Sequence, residues 1–277
     1  MLKRIAVACA AFAAFGAPAN AAPATPAATS RWVVDWDSAR CSLARDVQGP
    51  KPQTVSFRYV PGSKVPDVEL IEPSLQAGQN WEGKVDLRLE PSGAHAEGSG
   101  MRASVGDKSV LWVTFGGFGE DLSEVFGHLA TSDAVALTAD GRELAKVALP
   151  GAGKAVEALQ KCTDQILKEW GLDPQVQANL RQHPKSKASL ATWVHDSDYP
   201  LAALSKRESG TTTFGMIVDQ DGRVHKCFLV ATSGSPSLDQ QTCAIMIHRT
   251  RFEPAISADG KPTPAVITAR LRRVLPH

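Results

Sequence analysis

The sequence lacks several residue patterns that usually accompany catalysis or metal binding. It has five cysteines and seven histidines, but no CxxC pair and no HxxxH spacing of the kind that holds zinc. It also has no GxSxG motif to present a nucleophilic serine. Aromatic residues make up only 6% of the chain and the formal net charge is +1, so a nucleic-acid surface is not expected. We therefore predict that the protein is not an enzyme, needs no metal or other cofactor, and binds no nucleic acid.

Long apolar runs are also missing beyond the first residues. Residues 1–21 combine a basic start, an apolar core and a small-x-small end, a pattern typical of a cleaved secretory signal peptide. The apolar core has thirteen residues before Pro18, whereas about 20 are needed to span a membrane. We expect cleavage near Ala22 and a periplasmic location; the alternative is an uncleaved anchor in the inner membrane. Residues 22–30 are predicted to form a short Ala/Pro tether.

The remaining cysteines then lie in an oxidising compartment. Loss of Cys9 with the signal leaves four cysteines, an even number that allows three disulfide pairings. Because the four lie as two distant couples, we favour Cys41 with Cys162 and Cys227 with Cys243. A zinc site is the alternative, and the ligand spacing gives it little support.

The distribution of charge indicates two separate units. Residues 31–180 carry 15 Lys and Arg against 21 Asp and Glu, whereas residues 181–277 carry 13 against 8. Residues 173–190 have no apolar stripe and contain Pro174 and Pro184, which favours a boundary there. The sequence therefore predicts a first domain over 31–172, a linker over 173–190 and a second domain over 191–277.

The first domain has the pattern of half-buried antiparallel strands closed by a helix. Short alternating runs are separated by Gly and Pro, and they occupy residues 32–36, 41–47, 54–60, 67–74, 84–91 and 109–116. A short helix is predicted over 121–130, a hairpin over 134–150, and a longer helix over 153–172 that carries Cys162 on its apolar stripe. The domain is faintly similar to secreted β-rich proteins of the invasion-associated type, and this resemblance assigns it no function.

Four local motifs resemble functional sites but have simpler structural interpretations. LPGAGKA at 149–155 lacks the first glycine and the Ser or Thr of a phosphate loop, and DQDG at 219–222 lacks the acidic partners of a calcium loop. His195, Asp196 and Asp198 precede Tyr199 and Pro200, which indicates the start of a helix rather than a hydrolase site. Asp239 and Glu253 form an acid/base pair only if the fold brings them together.

The last ninety residues contain an ordered series of motifs. A YP helix start is followed by a hairpin with a DG turn, a helix start with LD in its first turn, an RFEP tetrad, and a Gly and Pro before the last strand. These motif residues are Tyr199, Pro200, Gly222, Leu238, Asp239, Arg251, Phe252, Pro254, Gly260 and Pro262. The series resembles the carboxy-terminal domain of the TonB family over residues 199–275. The resemblance implies two helices on a three-stranded antiparallel sheet, so the whole chain is expected to be α+β.

The resemblance also implies a binding surface. It places the last strand at the edge of the sheet, where an extended partner can be added as a further strand. The residues that we expect to form this edge are Val266, Thr268, Arg270 and Arg272. The implied partner is a segment of an outer-membrane transporter or another periplasmic protein, and a homodimer through the same strand is also open.

The chain departs from the TonB pattern because it has no convincing anchor and no long Pro-rich spacer. We therefore predict a periplasmic TonB-like protein that binds a protein partner, linked to outer-membrane transport. The alternatives are a membrane-anchored energy transducer with an uncleaved signal, and an enzyme with a site in the amino-terminal domain.

Overall fold

The structure is a computed structural model that describes residues 31–47, 53–63, 66–72, 81–105, 108–115 and 122–276. The predicted signal peptide and the tether lie outside these residues. The described residues combine a large antiparallel sheet with helices and a small second sheet, which confirms the α+β fold class.

The amino-terminal unit is built on one antiparallel sheet of nine strands. The strands are β1 (Val33–Trp36), β2 (Cys41–Val47), β3 (Gln53–Tyr59), β4 (Asp67–Glu72), β5 (Trp81–Glu90), β6 (His95–Val105), β7 (Lys108–Phe115), β8 (Ala134–Ala139) and β9 (Arg142–Ala148). They pair in the order β1-β2-β3-β4-β7-β6-β5-β8-β9. Alternation decides which side is buried: in β2 the side chains of Cys41, Leu43 and Arg45 are buried, whereas the residues between and after them are half-exposed or exposed.

Strand β6 was not predicted from the sequence. Its residues, HAEGSGMRASV, lack the apolar alternation of a half-buried strand, yet it pairs with β5 on one side and β7 on the other. Small residues serve a packing purpose here: a Cβ atom at Gly100 would lie 2.9 Å from the indole ring of Trp81. Gly100 therefore leaves room for a large side chain of the neighbouring strand.

Two helices, α1 (Leu122–Ala130) and α2 (Ala152–Glu169), accompany the sheet. Helix α2 buries Val156, Leu159 and Ile166 in the same core as the strands, as its apolar stripe predicts. The helix ends in a Schellman motif: Gly171 has φ +79° and the N–H of Leu172 donates to the Leu167 carbonyl at 2.9 Å. Within the described ranges, no helix combines the length and the apolar character that crossing a membrane requires.

The carboxy-terminal unit is a three-stranded antiparallel sheet with one main helix. Its elements are α3 (Pro174–Ala178), β10 (Lys185–Ser186), α4 (Leu190–Trp193), α5 (Leu201–Ser205), β11 (Gly210–Val218), β12 (Val224–Ala231), α6 (Pro236–Arg249), β13 (Phe252–Glu253), β14 (Ala255–Ile256), β15 (Pro262–Thr263) and β16 (Ala265–Arg273). The sheet order is β12-β11-β16. Phe214 and Met216 of β11 pack with Ile245 and Met246 of α6, and Phe252 completes this small core.

The second face of this sheet is covered by the amino-terminal unit. Leu167 and Leu172, at the end of α2, pack with Ile217 of β11 and Val266 of β16. The rings of Trp170 and Phe228 lie 4.3 Å apart between their centroids. The small sheet is therefore enclosed between α6 and the end of α2, and the two units share an apolar contact.

Residues 173–190 run along the carboxy-terminal unit. The N–H of Arg181 donates to the Ile256 carbonyl at 2.7 Å, and the N–H of Lys187 donates to the Arg251 carbonyl at 3.0 Å. Strand β10 pairs with β13. Main-chain hydrogen bonds therefore attach residues 173–190 to the part of the chain between α6 and β16.

The cysteines are paired within each unit. Cys41 of β2 is joined to Cys162 of α2 with Cα atoms 6.1 Å apart, and Cys227 of β12 is joined to Cys243 of α6 with Cα atoms 5.4 Å apart. Both separations lie in the range that disulfides require. Each bridge ties a helix to the sheet on which it packs.

Replacing each pair by alanine tests the disulfides. Because the loop that Cys227–Cys243 closes is short, its loss is expected to lower the free energy of unfolding by about 3 kcal/mol. Loss of Cys41–Cys162, which closes a loop of 121 residues, is expected to cost more, about 4 to 5 kcal/mol. Urea unfolding of the two double variants measures both, and peptide mass mapping of the unreduced protein checks the pairing. Crossed pairs in the map contradict the structure.

Candidate functional site

Strand β16 lies at one edge of the three-stranded sheet. It pairs with β11 in a continuous antiparallel register, from Gly210 opposite Arg273 to Val218 opposite Ala265. Its side chains alternate between the two faces of the sheet, and Ile267, Ala269 and Leu271 pack towards α6. The main chain alternates as well, because every second N–H of an edge strand points away from its partner. In β16 these outward groups belong to the four residues predicted for the edge: Val266, Thr268, Arg270 and Arg272.

Residues of the same chain occupy the first part of this outer edge. The N–H of Val266 donates to Gln177 Oε1 at 3.3 Å, and the N–H of Thr268 donates to the Gly62 carbonyl at 3.2 Å. The Thr268 hydroxyl donates to the Pro61 carbonyl at 3.1 Å. The edge is therefore already paired at Val266 and Thr268.

Gly62 makes this close approach possible. It has φ +85°, a conformation that glycine adopts at little cost. A Cβ atom at this position would lie 2.9 Å from both the carbonyl carbon and the carbonyl oxygen of Val266, which is too close for any side chain. Glycine is therefore required at position 62 for two reasons: the positive φ of the turn and the close contact with the main chain of β16.

The second part of the edge has a different environment. The Arg270 guanidinium forms an ion pair with Asp67 of β4, with Nη2 and Oδ2 2.5 Å apart. Arg272 is exposed. Among the described residues, none forms a hydrogen bond with the outward main-chain groups of Arg270 or Arg272. Within the described part of the chain, this short stretch is where β16 leaves outward main-chain groups without a hydrogen-bond partner.

A cavity of about 130 Å³ between the two units, beside Arg270, is lined in part by charged residues. Burial raises the pKa of Asp67, and the charges of Arg270, Arg58 and Arg40 only partly oppose that effect. Arg58 pairs with Glu69 at 2.6 Å. Arg40 pairs with Asp37 at 2.7 Å. The charges lining the cavity therefore have partners within the protein.

Asp239 holds the start of α6 against the sheet. Its carboxylate accepts hydrogen bonds from Thr232 Oγ1 at 2.6 Å, Thr212 Oγ1 at 2.8 Å and the N–H of Ser233 at 2.9 Å. Burial acts to raise its pKa, but these hydrogen bonds outweigh it and the pKa is lowered. Glu253 lies beyond the other end of α6, roughly 20 Å away for a helix of this length. The fold therefore does not bring the two carboxylates together as an acid/base pair.

The other motif residues also shape the carboxy-terminal unit. Tyr199 is buried, donates its hydroxyl to the Glu208 carbonyl at 2.5 Å and lies under the Arg273 guanidinium. Pro200 precedes α5, and Leu238 is fully buried at the start of α6. Gly222 has φ +77° and its carbonyl accepts from the Phe252 N–H at 2.8 Å. The remaining members follow α6: Arg251, Pro254, Gly260 and Pro262 lie in the chain that leads to β16.

Residues 196–272 match the family model described as Gram-negative bacterial TonB protein C-terminal. This part of the chain is a TonB-like domain. The match covers just over a quarter of the chain, and no curated protein is significantly similar to it. At the family level the domain is non-enzymatic and associated with transport in the cell envelope, and such domains interact with proteins such as outer-membrane transporters. The presence of this domain also indicates that the protein is periplasmic or associated with the cell envelope.

Sequence reasoning did not identify the residues of the first unit that touch the TonB-like domain. Pro61, Gly62 and Asp67 are about two hundred positions away from their contacts on β16. The sole local signal is the Pro-Gly pair itself, which indicates a turn but not what the turn contacts.

The cluster at His195 and Asp198 is structural. Asp198 lies in a 3₁₀ turn at Asp196–Asp198, and its carboxylate accepts from the His195 N–H at 2.8 Å. Arg249 of α6 donates to both carboxylate oxygens, at 2.6 and 2.7 Å. The hydrogen bonds from Arg249 lower the pKa of Asp198 from 3.8 to about 2, and the His195 N–H contributes. Asp198 therefore fastens the start of the TonB-like domain to the end of α6.

Replacing Asp198 by Asn tests this role. Because the folded pKa lies below the unfolded value, the carboxylate stabilises the fold fully above about pH 4 and loses this effect as the pH falls through about 2. We expect Asp198→Asn to lower the free energy of unfolding by about 1 to 2 kcal/mol at pH 7, allowing for solvent screening on the Arg249 side.

The matched control is Asp196→Asn, an exposed carboxylate in the same turn, for which no change is expected. The difference between the two variants, measured by urea unfolding at several pH values, should shrink as the pH falls below about 4 and vanish only below about pH 2. A difference that is independent of pH contradicts the assignment.

Proposed function

We propose that the TonB-like domain binds an extended segment of another envelope protein, which joins the sheet as a strand on the outer side of β16. The observation that carries the proposal is the pair of open main-chain positions at Arg270 and Arg272. Groups of this kind are a template for strand addition, in which main-chain hydrogen bonds supply affinity and side chains supply specificity.

The opposite edge of the sheet is less suited to this role. Strand β12 pairs with β11 through two register shifts, between Thr213 and Phe214 and between Ile217 and Val218. Each shift leaves an extra residue on β12, and such bulges interrupt the regular spacing of main-chain groups that a new strand needs. Lys226 is also exposed on this strand. Strand addition is therefore expected at β16 rather than at β12.

The charges on β16 favour a different protein over a second copy of this chain. In an antiparallel pair of two β16 strands centred near Leu271, Arg270 of each copy would lie opposite Arg272 of the other. Like charges placed directly opposite each other destabilise a sheet. A partner segment with acidic side chains avoids this repulsion, because its carboxylates are attracted to Arg270 and Arg272.

In this proposal the protein acts in the periplasm after loss of residues 1–21. Residues 31–172 and 191–277 form two units joined by 173–190. The partner is a periplasm-facing segment of an outer-membrane transporter, in agreement with what TonB-like domains contact at the family level.

The variant Arg272→Pro tests strand addition directly. The N–H of Arg272 points away from β11, so proline removes an outward donor without removing a hydrogen bond within the sheet. We expect the variant to fold normally and to bind synthetic peptides from transporter segments at least tenfold more weakly, because it loses a main-chain hydrogen bond and the ring obstructs the edge.

The matched control is Arg272→Ala, which removes the charge and keeps the N–H. It is expected to weaken binding less than proline does. Amide exchange should show new protection at Arg270 and Arg272 when the wild-type protein binds a peptide. Peptide binding that leaves these two amides unprotected, or that is unaffected by Arg272→Pro, overturns the proposal.

A further inference from the structure

Three groups of the amino-terminal unit stand where the groups of a bound strand are expected. The Gly62 carbonyl accepts the outward N–H of Thr268, and the Pro61 carbonyl accepts the Thr268 hydroxyl. The Asp67 carboxylate pairs with Arg270. A main-chain acceptor beside Thr268 and an acid beside Arg270 are what an extended acidic segment would supply.

We propose that Pro61, Gly62 and Asp67 form an internal cover that occupies part of the partner's place on β16, and that an extended acidic segment displaces it. This inference rests on the function proposed above. The cover and the partner compete for the same donors, so the fraction of molecules with the cover lifted sets the apparent affinity of the site.

At the contacts that the cover and the partner share, replacing one by the other changes the free energy little. A partner carbonyl replaces the Gly62 carbonyl, and a partner carboxylate replaces Asp67. The additional main-chain pairs at Arg270 and Arg272, which the cover leaves open, favour the partner. A segment that pairs with Thr268 as well as with Arg270 and Arg272 therefore displaces the cover. A shorter segment that pairs only with Arg270 and Arg272 can bind while the Gly62 contact with Thr268 remains.

The cover is held by weak contacts. The Arg270 and Asp67 side chains are 40% and 35% exposed, and ion pairs of that exposure contribute little. The apolar contact between the two units is made by different residues of the amino-terminal unit, because it joins the end of α2 to Ile217 and Val266. The cover is thus able to lift while the units stay in contact.

Gly62 provides a way to open the cover without touching β16. An alanine at this position places its Cβ 2.9 Å from the Val266 main chain, so the cover cannot approach as closely. Gly93 offers a matched control: it has a similar φ of +73°, and nothing lies within 4 Å of its Cβ position. Gly93→Ala imposes the same backbone strain without affecting β16.

The experiment uses the full chain and two capped probe peptides, one of alternating Glu and Val and one of alternating Lys and Val. It measures amide exchange at Thr268 and the affinity for each peptide. For Gly62→Ala we expect faster exchange at Thr268 and about tenfold tighter binding of the Glu peptide than for wild type or Gly93→Ala. The Lys peptide is expected to bind more weakly than the Glu peptide to every variant.

Asp67→Asn is a second variant that tests the same point if Gly62→Ala does not fold. It frees Arg270 with little change in shape, and it is also expected to tighten binding of the Glu peptide.

The outcomes separate the cover from the proposed function. If wild type, Gly62→Ala and Asp67→Asn bind the Glu peptide equally, the cover does not compete and this inference is wrong, while strand addition stands. If exchange at Thr268 is unchanged in Gly62→Ala, the contact does not protect the edge and the inference is also wrong. If neither peptide binds any variant, including those with faster exchange at Thr268, the proposed function itself fails and the cover has nothing to regulate.

Discussion

The outward N–H groups of β16 need hydrogen-bond acceptors, and this requirement organises the contact between the two units. A strand at the edge of a sheet leaves every second main-chain group without a partner from the sheet. Here the side chain of Gln177 and the main chain of Gly62 supply two acceptors. Both belong to segments outside the three-stranded sheet, so two of the four outward positions are paired by other parts of the chain rather than by the TonB-like fold.

Helix α2 determines where these segments lie. Near its middle, Cys162 ties it to β2, and at its end Trp170 packs on Phe228 of the small sheet. The Schellman motif at Gly171 then turns the chain so that α3 follows, and α3 carries Gln177 to the start of β16. One helix therefore connects the disulfide-bonded core of the first unit to the edge of the second.

Sequence reasoning could predict elements whose signal is local. The alternation of β16 and the apolar stripe of α2 are local patterns, and the series of motifs from Tyr199 onwards is ordered enough to identify a TonB-like domain. Strand β6 could not be predicted because it lacks apolar alternation, and Gly100, one of its small residues, leaves room for Trp81 of β5. The contact of Pro61 with Thr268 joins residues 207 positions apart, and no property of either segment alone indicates it.

The two edges of the small sheet are protected by devices of different kinds, and this difference bears on which edge has a function. The bulges of β12 arise from extra residues in that strand, so binding of a partner does not remove them. The protection of β16 is instead made of hydrogen bonds and one half-exposed ion pair, and a partner with matching groups can replace each of them. A protected edge lowers the risk of unwanted pairing between copies in either case. In the mechanism that we propose, a partner displaces the protection of β16 and then pairs with the same strand, so the edge is guarded without losing its ability to bind.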